Sequence, residues 1–72
     1  MKANNQQQPK RLVFTTQLNM LMFLACLPKT ESKKFTQVGE DNEMEYFESQ
    51  MSKPTLGHIN NSTERFDYKI IK

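Results

Sequence analysis

The chain predicts an α+β fold: one small domain over residues 10–72 with two helices, a short two-stranded pairing and a disordered N-terminal tail over residues 1–9. Three observations lead there. The only concentrated apolar mass, Leu18 to Leu27, lies in a stretch whose apolar residues recur at helical spacing. The C-terminal segment Arg65-Phe-Asp-Tyr-Lys-Ile-Ile-Lys72 sets Phe66, Tyr68 and Ile70 against Asp67 and Lys69, the period of a half-buried strand. The first nine residues are rich in amides, with only Met1 and Ala3 apolar, and have nothing to bury.

Taken in order, the first helix is expected over residues 12–27. Phe14, Leu18, Leu21 and Ala25 fall on one side, Thr15 and Asn19 on the other, and Pro28 ends it. Beyond Met20 this helix is apolar all round, as in a segment enclosed by protein or lipid. Lys33 to Val38 is β-prone and stops at Gly39. A second helix is expected from Glu43 to Gln50 or Ser52, capped by Asn42 with Glu45 three residues on, and with Met44, Phe47 and Met51 on one face. Pro54 is expected to close that helix, with Lys53 near its favourable dipole end, and a polar loop around Gly57 and His58 to follow. Strands near 33–38 and 65–71 would pair beneath the first helix. The same pattern allows a mostly helical core with an extended C-terminal arm that adds to a partner's sheet.

Composition narrows the function. Chains of about this size bury only around 60% of the surface they expose when unfolded, so a staple or a partner would help. No staple is encoded: Cys26 is the only cysteine, and His58, the only histidine, lacks the companions of a structural zinc site. Neither a metal nor another cofactor is expected. Mean hydropathy is −0.76, between an ordinary globular chain and one too polar to pack. The net charge of +2 hides a segregation. Residues 1–34 carry Lys2, Lys10, Arg11, Lys29, Lys33 and Lys34 against Glu31, whereas residues 40–48 carry Glu40, Asp41, Glu43, Glu45 and Glu48 and no base.

Two short segments resemble docking peptides. Gln17-Leu-Asn-Met20-Leu-Met-Phe23-Leu24 is similar to the peptide of sliding-clamp-binding proteins, with Met20 and Phe23 in place and Leu24 where a second aromatic is usual. The resemblance implies a helical turn that plugs Met20 and Phe23 into a partner's pocket. Lys10-Arg-Leu12-Val-Phe14 is similar to the basic-x-Leu-x-Phe peptides that dock on cyclins, which implies Leu12 and Phe14 as the apolar contacts. Residues 1–26 also resemble an export signal, in which Phe23-Leu-Ala-Cys26 looks like a bacterial lipoprotein cleavage box and Cys26 would carry the anchor. Residues 12–27 fall short of the ~20 apolar residues of a membrane span. Asn60-Asn-Ser62 and Asn61-Ser-Thr63 are overlapping glycosylation acceptors, meaningful only in a secretory compartment.

Catalysis has little material. Cys26 sits in an apolar segment that lowers thiol reactivity, and His58 has no fixed partner in sequence. Nucleic-acid binding is disfavoured because the second expected helix is acidic and would face phosphate repulsion. The reading is therefore a small, non-enzymatic, cytoplasmic interaction or regulatory protein that packs on a partner or a second copy. The binding residues would be Leu12, Phe14, Gln17, Leu18, Met20, Leu21, Phe23 and Leu24, with Leu18, Leu21, Phe23 and Leu24 as anchors. The alternatives are a lipoprotein of the cell envelope or a secreted product, with membrane contact only if residues 1–25 are a signal, and a small DNA-binding regulator.

Overall fold

A computed structural model describes residues 8–39 and 42–72. The tail expected over residues 1–9 therefore falls mostly outside the described residues, as do Glu40 and Asp41. The chain runs β1 (Lys10–Phe14), α1 (Gln17–Ala25), α2 (Lys29–Ser32), β2 (Thr36–Val38), β3 (Glu43–Tyr46), a 3₁₀ turn (Glu48–Gln50), α3 (Lys53–Asn61), α4 (Thr63–Phe66) and β4 (Tyr68–Ile71). The four strands form one antiparallel sheet in the order β2-β3-β1-β4. Since β1 and β2 are both antiparallel to β3, they run parallel to each other with β3 inserted between them. This is the split β-α-β arrangement of ferredoxin-like topology.

The expectation of two helices and a two-stranded pairing is thus overturned, and so is the helical core with a free C-terminal arm. Two stretches whose spacing predicts helix, the starts of the expected helices at residues 12–14 and 43–46, are period-2 strands. In β1, Leu12 and Phe14 point into the core while Arg11 faces solvent. Only after Thr15 and Thr16 does a helix begin, with the Thr16 hydroxyl accepting from the Asn19 amide at 3.1 Å. In β3, Met44 and Tyr46 are buried and Glu43 and Glu45 face the other way, so the supposed capping box is a strand alternation.

Pro54 opens a helix instead of closing one. Ser52 caps α3, its hydroxyl accepting from the Thr55 amide at 3.3 Å, and a proline in the first turn needs no amide partner. The loop expected around Gly57 and His58 is the body of α3. The segments expected to pair with each other, β2 and β4, are opposite edges of the sheet. Both edges are blunted, β2 by its three-residue length and β4 by exposed Lys69.

One face of the sheet meets the helices. Phe14 sits opposite Tyr68 in the register, their rings 4.7 Å apart, and Leu12 opposite both Met44 and Ile70. Phe23 from α1 is fully buried on this face, 5.3–6.0 Å from the rings of Phe14, Phe35, Phe66 and Tyr68. The Tyr68 phenol donates to the Ile59 carbonyl, tying β4 to α3, and burial, reinforced by nearby Tyr46, pushes its pKa up to about 12. The other face carries Arg11, 3.3 Å from the carboxylates of both Glu43 and Glu45.

Candidate functional site

The helix α1 was expected to be apolar on every side, and in the fold only one side of it is used. Met20 and Phe23 are buried, while Leu18 is 64%, Leu21 51% and Met22 47% exposed. At 3.6 residues per turn, Leu18, Leu21, Met22 and Ala25 form an arc directly opposite Met20 and Phe23. The outward arc of α1 is therefore a continuous apolar face, where a surface helix would ordinarily carry charged or polar residues.

Several contacts hold that face rigidly. Thr16 caps the start of α1, and Phe23 roots its middle among the rings beneath it. At the C-terminal end, His58 of α3 lies with Nε2 3.3 Å from the Phe23 carbonyl oxygen and Nδ1 3.2 Å from the Ser62 hydroxyl. A carbonyl only accepts, so Nε2 carries a proton, and in the neutral ring Nδ1 accepts from Ser62. The imidazole also stacks on the Phe23 ring, 4.4 Å between centroids. His58 thus adds a second donor to the Phe23 carbonyl, which also accepts from the Cys26 amide at 3.2 Å.

Beyond α1, the turn through Pro28 leads to α2, which holds the most perturbed carboxylate among the described residues. Glu31 is buried and accepts from Lys34 Nζ at 2.8 Å, from the Thr55 hydroxyl at 2.6 Å and from the Ser52 amide at 2.9 Å. The Lys34 ammonium, then the Thr55 and Ser52 donors, hold its pKa at about 2. Because the Thr55 proton goes to Glu31, the contact between the Ser52 and Thr55 hydroxyls runs from Ser52 to Thr55. This carboxylate is a clasp between α2 and the start of α3, with every donor accounted for by the fold.

The residues expected to bind a partner separate into two groups. Leu12, Phe14, Met20 and Phe23 are core residues, each at most 4% exposed. Gln17, Leu18 and Leu21 are exposed on α1, and Leu24 is half-buried against the core. In the folded domain the residues that would plug a sliding clamp or a cyclin are inside the protein. Met22, missed from sequence, belongs to the exposed face, as does Ala25, which the helical spacing sets beside Leu18 and Leu21 but which is not among the expected binding residues. Their signal was the apolar run itself, which exceeds what one side of a nine-residue helix can bury.

Among the described residues no group of three or more His, Cys, Asp or Glu side chains could hold a metal ion, and no helix is long and apolar enough to cross a membrane. Cys26 is exposed with a free thiol at the end of α1. Comparison of the chain with protein-family models, with curated proteins and with solved structures finds no match. Split β-α-β topology is shared by many unrelated activities, so the fold alone assigns none.

Proposed function

We propose that this is a small, non-enzymatic interaction protein that docks a protein partner through the outward face of α1. The observation that carries the reading is the exposure of Leu18, Leu21 and Met22 side by side on a helix whose opposite side is fully committed to the core. Their exposed area is roughly 300 Å², a size at which the largest apolar patch of a monomer is often functional.

The competing readings draw less support. A lipoprotein beginning at Cys26 would lack β1, the strand that joins β3 to β4, and would lack Phe23. For nucleic acid, the outward positions of the two central strands hold Arg11, Val13, Glu43 and Glu45. They offer no aromatic platform for bases, and two carboxylates stand where phosphate would pass.

The reading is tested by placing a photo-crosslinking amino acid at position 18, 22 or 69 in the protein's native cells. Positions 18 and 22 on α1 are expected to give a discrete adduct that Leu21→Asp abolishes, and position 69, on the far face of the sheet, none. Adducts absent from α1, or equal from all three positions, would defeat the proposal.

A further inference from the structure

Resting on the reading of α1 as a docking face, we infer that Met22 is an oxidation site that switches this face off, its thioether converted to the sulfoxide by a peroxide. The fold sorts the sulfur atoms of the chain. Among the described methionines, Met20 and Met44 are each 2% exposed and Met51 8%, whereas Met22 is 47% exposed. Met20 and Met22 stand two residues apart on one helix, and at about 100° per residue they point nearly opposite ways, the first into the core and the second outward. The exposed thiol of Cys26 lies one turn beyond Met22. The accessible sulfur of the described residues is therefore gathered on the exposed side of α1, and Met22 has Leu18 one turn before it in the apolar arc.

Hydrogen peroxide supplies the oxygen. The Met22 Sδ lone pair attacks one peroxide oxygen, the O–O bond breaks, an S–O bond forms and the other oxygen leaves as water, the sulfur giving up the two electrons that the peroxide gains. A flexible apolar side chain becomes a polar hydrogen-bond acceptor, and burying that acceptor against an apolar partner is unfavourable. The fold itself does not depend on Met22, because α1 is held by the Thr16 cap, by the Phe23 ring and by His58 on the Phe23 carbonyl. Oxidation of Met20 or Met44 would instead put the same polar group inside the core. Leucine at position 22 gives similar apolar contact without the oxidisable atom, which makes Met22→Leu the matched control.

The test uses the full chain with a photo-crosslinking amino acid at position 18 and with Cys26→Ser, so that the thiol takes no part. The purified chain is treated with hydrogen peroxide, freed of it, mixed with an extract of its native cells and illuminated. Peptide mass mapping is expected to find one added oxygen on Met22 with Met20, Met44 and Met51 unmodified, and circular dichroism to be unchanged. The yield of the adduct is expected to fall about tenfold, and to recover after treatment with the two stereospecific methionine sulfoxide reductases and a thiol reductant. In the Met22→Leu chain the yield is expected to be indifferent to peroxide. An adduct that survives full conversion of Met22, or that peroxide removes equally from the Met22→Leu chain, would overturn the inference while leaving the docking face intact. Equal oxidation of Met20 and Met22 in the folded chain would overturn it as well. Absence of the adduct before any peroxide is added would defeat the docking reading, and the inference with it.

Discussion

Phe23 is the side chain on which this fold depends most, and its replacement gives the sharpest check of the packing. It is fully buried, and its ring meets Phe14, Phe35, His58, Phe66 and Tyr68. Truncation to alanine forfeits roughly 2–3 kcal/mol of transfer free energy. An unrelaxed void of about 100 Å³ adds about 2.4 kcal/mol at ~24 cal/mol per Å³, which brings the total near the upper part of the 3–5 kcal/mol seen for buried aromatics. A domain of this size has about 4–11 kcal/mol in all, so Phe23→Ala is expected to remove between roughly half and all of its stability. The measurable variant is Phe23→Leu, at about 1.5 kcal/mol, with a fall in Tm of roughly 6–12 °C. The control is Leu21→Ala, two residues away on the exposed side, at within about 0.5 kcal/mol of the parent. Thermal and urea unfolding followed by circular dichroism would measure all three. Equal losses at positions 21 and 23 would mean that α1 is not oriented as described.

Three further outcomes follow from other contacts. The Lys34, Thr55 and Ser52 donors hold the pKa of the Glu31 carboxyl at about 2, below its ordinary 4.5, so its contribution to stability is present above pH 4.5 and is lost as pH falls toward 2. Glu31→Gln is expected to flatten that acid limb of the unfolding midpoint, and an unchanged limb would remove the clasp between α2 and α3 from the account. Ser52→Ala, which deletes the cap of α3, is expected to cost about 1 kcal/mol and roughly 4–8 °C in Tm, more than an exposed substitution in the last turn such as Asn60→Ala. Gly57 lies inside α3 with nothing within 4 Å of where a Cβ would stand, so Gly57→Ala is expected to stabilise by about 0.5–1 kcal/mol. A loss of stability there would show that α3 packs more closely than described.

Local chemistry was legible wherever a short pattern had one physical solution. The alternation of Phe66, Tyr68 and Ile70 marked the final strand, although the strand proper begins at Tyr68, after Asp67 turns the chain at φ 55°. Gly39 marked a turn, which it makes at φ 67°. The apolar run marked a helix, in which Leu18 and Leu21 stay exposed and Phe23 is buried. Patterns with two solutions were decided elsewhere. Asn42-Glu-Met-Glu45 satisfies a capping box as well as a strand alternation, and Glu43–Tyr46 became a strand because β1 lies alongside it with Leu12 opposite Met44. Proline at position 54 can stop a helix or start one, and the Ser52 hydroxyl and the Glu31 carboxylate, 21 residues away in sequence, made it a start.

By itself, then, the sequence determined that there is more apolar surface between Leu18 and Leu27 than so small a chain can cover, because that is a matter of composition and length. Which side of that surface stays in water was a tertiary decision. It depended on the central strand β1, the ring cluster around Phe23 and the imidazole of His58, all brought to α1 by residues distant in the chain. Burial and strand pairing are properties of neighbours in space, and a helix that is apolar all round holds no local record of which side those neighbours will take.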